Sequence, residues 1–400
     1  MTRAAAQPFE RRGALDRVLS VRHLAWTRVD WHVLLVALSL LVFGLFFVQH
    51  MDAADQELGR DDIDFSKHLA KVLLTLPALA LAMLVRPRWL RRNAWLVYGA
   101  TLVLLALVPL IGESRNNARR WLPSPVGFDL QPSELAKLGL VIVLARVLYT
   151  CRLRNWSDWV RPMLVTLVPM ALVALQPDLG TAMTVVPVAL GMCYVAGAPA
   201  RRILALVASV VVAFVLAYQL ELIRDYQLQR IETWLSSMSP ASLIEARTGA
   251  AFHTYHARVA IGNGGWLGRG LGQGVANEAA LLPERDSDSV FAVIAEEAGF
   301  FGTSGLLLLY ALLILLVLAS ASTIRERFSR LVVCGIGMYF AAHYFVNVGV
   351  NLGLLPMTGL TLPLFSTGGS SMLVTFAALG LALGLAAQRE ATLDEDAFRA

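Results

Sequence analysis

The amino-acid sequence predicts an all-α polytopic membrane protein with ten transmembrane helices. Hydrophobic side chains make up 57% of the 400 residues and charged side chains only 16%, whereas soluble domains carry about 25% charged residues. The apolar residues are gathered into runs of roughly 17 to 20, which is the length that a helix needs to cross the hydrocarbon core of a bilayer. The three cysteines are far apart, so neither a disulfide framework nor a cysteine metal site is expected.

The predicted spans follow one another with short breaks. The first four lie near residues 33–49, 68–85, 95–112 and 133–149. A hydrophobic stretch from Met163 to Val195 is interrupted only by the sequence QPDLG, whose proline and glycine favour a turn, so we interpret it as spans five and six. Span seven covers about 203–220, and after a long loop the last three spans lie near 303–321, 331–349 and 369–387.

Arginines define the predicted orientation, because positively charged loops remain in the cytoplasm. They concentrate in every second loop, which places both termini inside and the 221–302 loop outside. The predicted organisation is a basic cytoplasmic tail at 1–30, a ten-helix membrane domain at 31–388 that includes this large extracytoplasmic loop, and a cytoplasmic tail at 389–400. Membrane topology accounts for the net charge of +5, so nucleic-acid binding is not expected.

An acidic run from Leu282 to Gly299 interrupts the apolar sequence at the end of the long loop. Its five carboxylates are Glu284, Asp286, Asp288, Glu296 and Glu297. Carboxylates near a membrane core are costly and generally mark function, which makes Asp288 and its neighbours the first candidates for a catalytic site. A structural alternative is that Asp288 only caps a helix beginning at Ser289.

Unexpected charges also lie between spans three and four. Arg119 and Arg120 occupy an external loop in which the orientation predicts few cations, so they are either a tolerated exception or a site for an anionic group such as a lipid phosphate. Glu134 and Lys137 share one face of span four. They form either a simple salt bridge at the membrane edge or a pair that presents Lys137 to a substrate.

Local signals predict two helix caps and two irregular segments on the same external side. Ser133 is a candidate cap for span four, and Asp178 for span six. The glycine-rich segment 260–274 lacks the strand and helix that flank nucleotide-binding loops, so its glycines are expected to let the backbone approach a membrane face or a lipid headgroup. The segment Pro356–Ser371 is too rich in proline, glycine and hydroxyl groups for regular structure, and it is expected to line a polar cavity.

Six motifs, in order along the chain, resemble the signatures of the SEDS family, whose RodA and FtsW members polymerise peptidoglycan. The motifs are QPSELAK at 131–137, QPDLGTA at 176–182, YQLQRI at 226–231, AIGNGGWLGRG at 260–270, LPERDSD with FAVIAEEAG within 282–299, and NLGLLPMTGLTLPLFSTGGSS at 351–371. QPDLGTA and LPER are similar to the RodA branch, whereas GLTLP and GRGLG are similar to the FtsW branch. The balance slightly favours RodA.

The resemblance implies a peptidoglycan glycosyltransferase in the bacterial cytoplasmic membrane, with an extracytoplasmic active site in which Asp288 is catalytic. The substrate would be lipid II, and undecaprenyl diphosphate would be released. A divalent cation, Mg²⁺ or Mn²⁺, is implied as cofactor, and a class B penicillin-binding protein is implied as the partner transpeptidase. The candidate metal ligands are Asp288 and Asp286, with the alternative that Asp286 raises the pKa of Asp288 by like-charge repulsion. With the charge pattern added, the candidate substrate-binding residues are Glu134, Lys137, Arg119, Arg120, Arg258 and Ser370.

Four positions depart from the family pattern close to the candidate site. Asp286 replaces a usual histidine, Ser289 an aromatic residue, His256 a glutamine and Thr367 a tyrosine. These changes leave the proposed base in place and affect the fit of the substrate and the pH optimum.

The chemistry of glycan polymerisation agrees with a single essential carboxylate. A diphosphate leaves as a stabilised anion and needs no acid, while the attacking hydroxyl needs one base. Two alternatives use the same polar cavity without this reaction: a lipid II flippase, and a non-catalytic scaffold for a penicillin-binding protein.

Overall fold

The computed structural model describes residues 18, 19, 21, 24–115, 118–124, 127–176, 178–220, 225–239, 251–275, 282 and 284–388, and they are mainly helical. The helices are α1 (Trp31–Glu57), α2 (Phe65–Thr75), α3 (Pro77–Met83), α4 (Pro87–Arg92), α5 (Ala94–Ile111), α6 (Pro132–Thr150), α7 (Ser157–Leu175), α8 (Leu179–Val195), α9 (Ala200–Gln219), α10 (Asp225–Ser237), α11 (Phe252–Asn263), α12 (Val290–Thr323), α13 (Arg327–Asn351) and α14 (Gly369–Ala386). Strands β1 (Glu113–Arg115) and β2 (Ala118–Trp121) form an antiparallel hairpin between α5 and α6. Most of the predicted N-terminal tail, all of the C-terminal tail and part of the 221–302 loop lie outside the described residues.

The predicted spans coincide with helices, which gives the chain the architecture of a multi-pass membrane protein. Among the described residues, seven helices are long and apolar enough to cross a membrane; they are α1, α2 with α3, α5, α7, α12, α13 and α14. The second span is divided at Leu76 because Pro77 has no N–H to continue the hydrogen bonding of α2. The helix α6 carries three charges, Glu134, Lys137 and Arg146, and its crossing of the membrane stays a prediction, as does the full ten-span topology.

The helices α13 and α14 form the centre of the helical bundle. In their apolar windows 72% and 83% of the residues are buried, against 17% for α2 with α3. The small side chains of α14 allow a close approach to α3, because a Cβ atom at Gly380 or Gly384 would lie 2.1 Å from the carbonyl oxygen of Leu79 or 2.2 Å from that of Met83. Such contacts between small residues are the usual way in which helices associate in lipid.

The eighth predicted span is the second part of a longer, broken helix. The helix α12 begins at Val290, well before the predicted start near 303, and it breaks at Gly299, where φ is 66°. The glycine-rich segment holds the break, since the amides of Arg269 and Gly270 donate to the carbonyls of Glu296 and Glu297 at 3.0 and 3.1 Å. The glycines therefore permit close approach to another helix, and the predicted approach to a membrane face or headgroup stays a prediction.

Of the three predicted helix caps, the structure confirms one and contradicts two. Asp178 caps α8, because its carboxylate accepts the amide of Thr181 at 3.2 Å. The prediction for Ser133 is wrong, since α6 begins at Pro132 and the hydroxyl of Ser133 donates to the carboxylate of Asp178 at 3.3 Å. The capping alternative for Asp288 is also wrong, because Ser289 is the residue before α12 and makes no side-chain cap.

Candidate active site

Asp288 lies in a tight turn that leads directly into α12. The carbonyl of Glu284 accepts the amides of Ser287, Asp288 and Ser289 at 3.0, 3.1 and 3.2 Å. Glu284 adopts a φ of 48°, which is unusual for a residue that has a Cβ atom. Backbone strain of this kind persists where the surrounding structure enforces it, and it is common at active sites.

Two asparagines from α13 hold the backbone of Asp288. Asn347 and Asn351 are one turn apart, each is 1% exposed, and their side-chain amides donate to the carbonyl oxygen of Asp288 at 3.0 and 3.1 Å. The amide of Asn347 also donates to the carbonyl of Leu360 at 2.6 Å. The central helix of the bundle is therefore bonded both to the turn that carries Asp288 and to the segment after α13.

The segment between α13 and α14 is irregular, as its composition predicts, and it bonds to the turn that carries Asp288. Ser366 donates its hydroxyl to the carbonyl of Ser287 at 2.8 Å. Thr367 donates its amide to the carbonyl of Asp286 at 3.1 Å and its hydroxyl to the carboxylate of the same residue. Leu364, with a φ of 73°, is a second residue in a left-handed conformation. Asp286 and Thr367, two of the expected departures from the family pattern, therefore bond to each other.

The carboxyl group of Asp288 is enclosed by protein although part of the residue reaches solvent. One oxygen accepts the hydroxyl of Ser287 at 2.9 Å. Desolvation raises the pKa of Asp288 to about 7, against the lowering effect of the Ser287 bond; the charges of Glu284 and Asp286 raise this pKa further, and Arg120 lowers it. A carboxylate with a pKa near neutrality is well matched to general base catalysis.

The other carboxyl oxygen of Asp288 faces Gly359, which supplies a first prediction. A Cβ atom at Gly359 would lie 3.2 Å from this oxygen, and the φ of Gly359 is 68°. We expect Gly359→Ala to displace the carboxylate and lower the rate of the reaction at Asp288 by about 10- to 100-fold. The control is Gly59→Ala, because Gly59 has a φ of 69° but open space around its Cβ position. Equal rates for the two variants would contradict the role of the contact.

Glu134 and Lys137 form a fully enclosed ion pair in α6. Both residues are 3% exposed, and the ammonium of Lys137 donates to the carboxylate of Glu134 at 2.7 Å. The same ammonium lies 2.7 Å from Nε2 of His343 in α13. The salt bridge that the sequence allows as one alternative is therefore present, and contact between Lys137 and a substrate stays a prediction.

Arg119 and Arg120 lie on β2, on two different surfaces. Arg119 is exposed and donates to the carbonyl of Pro109 at 3.5 Å. Arg120 is largely covered, lies 4.0 Å from the carboxylate of Asp178, and its charge acts on Asp288. The hairpin therefore brings Arg120 to the candidate site.

Ser370 and Arg258 make their contacts elsewhere. Ser370 donates to the carbonyl of Asp129 at 2.6 Å and accepts the amide of Gln131 at 2.8 Å, which fixes the chain before α6. Arg258 donates from α11 to the carbonyl of Ser237 in α10 at 2.8 Å and packs beside Gly353. One contact lies in the long loop and the other in the segment after α13, and contact between Arg258 and a substrate stays a prediction.

Two carboxylates at the site, those of Asp286 and Asp288, are the predicted ligands of a divalent cation. Among the described residues, no group of three or more His, Cys, Asp or Glu side chains could hold a metal ion. In each of the two predicted ligands, Asp286 and Asp288, one carboxylate oxygen accepts a hydrogen bond from a hydroxyl group, and the other oxygen takes no part in that bond. Mg²⁺ is usually held by one or two carboxylates together with waters and substrate phosphates, so Asp286 and Asp288 would fit such a cation, and its binding stays a prediction.

Sequence reasoning missed a basic group on α2 that faces the acidic turn. Lys71 donates to the carbonyl of Thr367 at 3.4 Å. His68, one turn earlier, is 2% exposed, lies beside Lys71 and Asp286, and has no hydrogen-bond partner on either ring nitrogen within the described part of the chain. Their spacing of three residues on an amphipathic helix is the one signal in the sequence that could have joined them.

Sequence reasoning also missed an ion pair that anchors the turn. Arg285 donates to the carboxylate of Asp55 at 2.6 Å, and the side chains are 5% and 0% exposed. Asp55 lies at the end of α1, 230 residues away. A local sequence pattern cannot indicate a contact between residues so far apart in the chain.

Comparison with known proteins finds matches over nearly the whole chain. Residues 30–391 match the family described as cell cycle protein, FtsW/RodA/SpoVE. The chain is 35% identical over 368 residues to a probable peptidoglycan glycosyltransferase FtsW of Halorhodospira halophila, covering 90% of both chains. It is 31% identical over 371 residues to the peptidoglycan glycosyltransferase MrdB of Escherichia coli K12, covering 91% of this chain and 96% of that protein.

Solved structures show the same similarity. A chain from a structure on the structural coordination of polymerization and crosslinking by a peptidoglycan synthase complex matches with a TM-score of 0.76 and 32% identity, covering 90% of this chain and 98% of that one. The crystal structure of the rod shape determining protein RodA of Thermus thermophilus matches with a TM-score of 0.66 and 32% identity, covering 90% and 97% of the two chains.

Proposed function

The chain belongs to the FtsW/RodA/SpoVE family of cell cycle proteins, and on that premise we propose that it polymerises lipid II into peptidoglycan glycan strands. It is a peptidoglycan glycosyltransferase, as are the relatives that match most of its length. The observation that carries the proposal at the level of residues is Asp288, an enclosed carboxyl group with a pKa of about 7 that three separate elements hold in place.

In the proposed reaction, Asp288 accepts the proton of the acceptor GlcNAc 4-hydroxyl as that oxygen attacks C1 of the donor MurNAc. The new C1–O bond forms, the bond from C1 to the diphosphate breaks, and undecaprenyl diphosphate leaves as an anion. The hydroxyl is a very weak acid, so a base within hydrogen-bond distance lowers the barrier. The side chains of Asn347, Asn351 and Ser366 bond to the backbone of the turn and hold this base in a fixed position. A base that is already in position reacts faster than one that must first reach the correct orientation.

Positive groups around Asp288 favour an anionic leaving group. Arg120 acts on Asp288 from the hairpin, and Lys71 of α2 bonds to Thr367, the residue that bonds to Asp286. Arg119, Lys137, Arg258 and Ser370 remain proposed substrate contacts, with Glu134 as the residue that orients Lys137. A divalent cation held by Asp286 and Asp288 would neutralise charge on the diphosphate.

The pKa of Asp288 predicts how the rate depends on pH. The carboxylate form is the base, so the polymerisation rate should rise with pH and level off above a midpoint near 7. Below that midpoint the rate should fall about tenfold for each pH unit, because a single proton blocks the base.

A histidine variant separates the effect of Asp288 from that of an imidazole close by. His253 hydrogen-bonds to Ser289 at 2.8 Å, and His253→Gln removes its titration. The midpoint should be the same in this variant and in the native protein, measured as initial rate against pH. A midpoint that disappears with His253 would assign the titration to the imidazole.

We place the active site on the extracytoplasmic face of the bacterial inner membrane, with a class B penicillin-binding protein as the partner. Support comes from the arginine pattern and from the similarity to a chain of a peptidoglycan synthase complex. The test is to reconstitute the purified protein and its partner in liposomes and to add labelled lipid II from outside. Glycan polymer is the expected product. Lipid transfer without polymer would indicate a flippase, and polymer that depends only on the partner would indicate a scaffold.

A further inference from the structure

The helix α13 presents a row of three polar side chains at intervals of four residues. They are His343, Asn347 and Asn351, which lie on one face of the helix and are each at most 1% exposed. Asn351 and Asn347 bond to the carbonyl of Asp288, and Asn347 also bonds to that of Leu360. His343 continues the row toward the ion pair in α6.

The hydrogen bonds of His343 define its protonation. Its Nε2 lies 2.7 Å from the ammonium of Lys137, and its Nδ1 lies 3.1 Å from the carbonyl oxygen of Thr361. An ammonium has only donors and a carbonyl only accepts. His343 must therefore be neutral, with its proton on Nδ1, so that it accepts from Lys137 and donates to Thr361.

The neighbours of Thr361 connect this histidine to the catalytic turn. Leu360, the preceding residue, is held by Asn347, and Thr361 bonds through its hydroxyl to Ser371 at 2.9 Å. The same segment continues to Ser366 and Thr367, which bond to Ser287 and Asp286. A displacement at Thr361 therefore reaches both residues that precede Asp288.

We propose that His343 is a positioning residue that couples the enclosed Glu134–Lys137 pair to the segment holding the Asp288 turn. It acts through Lys137 on one side and Thr361 on the other, and it touches no substrate. The proposal rests on the proposed function only for its effect on rate, because the coupling itself is a property of the folded protein. The interior of the bundle makes it strong, since a buried ammonium that loses one of its two acceptors there is left with an unsatisfied donor.

The test uses two variants of this one residue. His343→Gln keeps an acceptor for Lys137 and a donor for Thr361, whereas His343→Leu removes both. In the complex with the partner, His343→Leu should lower kcat for lipid II polymerisation by about 10- to 100-fold with little change in KM. His343→Gln should recover most of that loss. Equal losses in the two variants, or a change confined to KM, would overturn the proposal.

Hydrogen exchange supplies a readout that does not need activity. Amides in the segment 359–367 should exchange faster in His343→Leu than in the native protein, and at the native rate in His343→Gln. In a Lys137→Met background, His343→Leu should have a smaller additional effect, because one of the two bonds that it breaks is already absent. Native exchange in His343→Leu would overturn the coupling. Failure of the native protein to make polymer would instead count against the proposed function and leave the exchange result valid.

Discussion

Asp288→Asn should lower the rate of lipid II polymerisation by about 10²- to 10⁴-fold, which is the usual contribution of a general base. Asparagine has nearly the shape of aspartate, and it keeps an oxygen that can accept the hydroxyl of Ser287. The bonds from Asn347, Asn351 and Ser366 go to the backbone of the turn and remain. The variant should therefore fold and bind its partner, and lose only the ability to take a proton.

A neighbouring acid supplies the control for this prediction. Glu284 is exposed, lies in the same turn, and uses its backbone carbonyl to hold the turn together. Glu284→Gln removes one negative charge and keeps the backbone bonds, so it should retain most of the activity. Rates are measured as polymer formed from labelled lipid II at saturating partner. An equal loss in Glu284→Gln and Asp288→Asn would indicate that charge near the site matters and that no single carboxylate acts as base.

Asp55→Asn should reduce the free energy of unfolding by about 3 to 5 kcal/mol, because it leaves the guanidinium of Arg285 enclosed without its buried counter-ion. Asp55 is 0% exposed, and its carboxylate also accepts the amide of Ile63 at 3.3 Å. The ion pair of Asp55 with Arg285 connects the turn that carries Asp288 to the end of α1. Its loss should make the turn mobile before the rest of the bundle unfolds.

The same arginine offers a matched control. Asp62 lies 3.5 Å from Arg285, but its side chain is 66% exposed. Asp62→Asn should cost at most about 1 kcal/mol, because solvent screens exposed pairs. Unfolding in mixed detergent and SDS micelles gives both values. Similar losses of unfolding free energy in the two variants would contradict the importance of burial. The double variant Asp55→Leu, Arg285→Met should lose less unfolding free energy than Asp55→Asn, because it leaves no unpaired buried charge.

The positions of the membrane helices could be predicted from the sequence because hydrophobicity is a local property. The predicted span near 331–349 lies within α13, and the one near 369–387 matches α14 closely. The start of α12 could not be predicted in the same way, because its first turns contain Glu296 and Glu297 and the break at Gly299 depends on the distant segment that contacts it. The cap predicted for Ser133 failed for the same reason, since its partner, Asp178, is 45 residues away.

In the candidate site, too, the sequence predicts the residues with a local signal and misses those that depend on distant contacts. Asp288 and its acidic neighbour were evident because carboxylates are rare in such a chain, and Glu134 with Lys137 because they are three residues apart. The groups that hold Asp288 in place come from α13 and from α1, and their sequence separation of 59 to 230 residues leaves no local trace. The spacing of His343, Asn347 and Asn351 was readable, but only the structure gives these residues a common set of contacts.

The most direct test of the account is the single-turnover rate of the native protein and of Asp288→Asn, each with its partner, from about pH 6 to about pH 8. If Asp288 is the base, the native rate should rise through a midpoint near 7, and the residual rate of Asp288→Asn should stay flat. A residual rate that rises with the same midpoint would show that another group takes the proton, and it would contradict the assignment of Asp288.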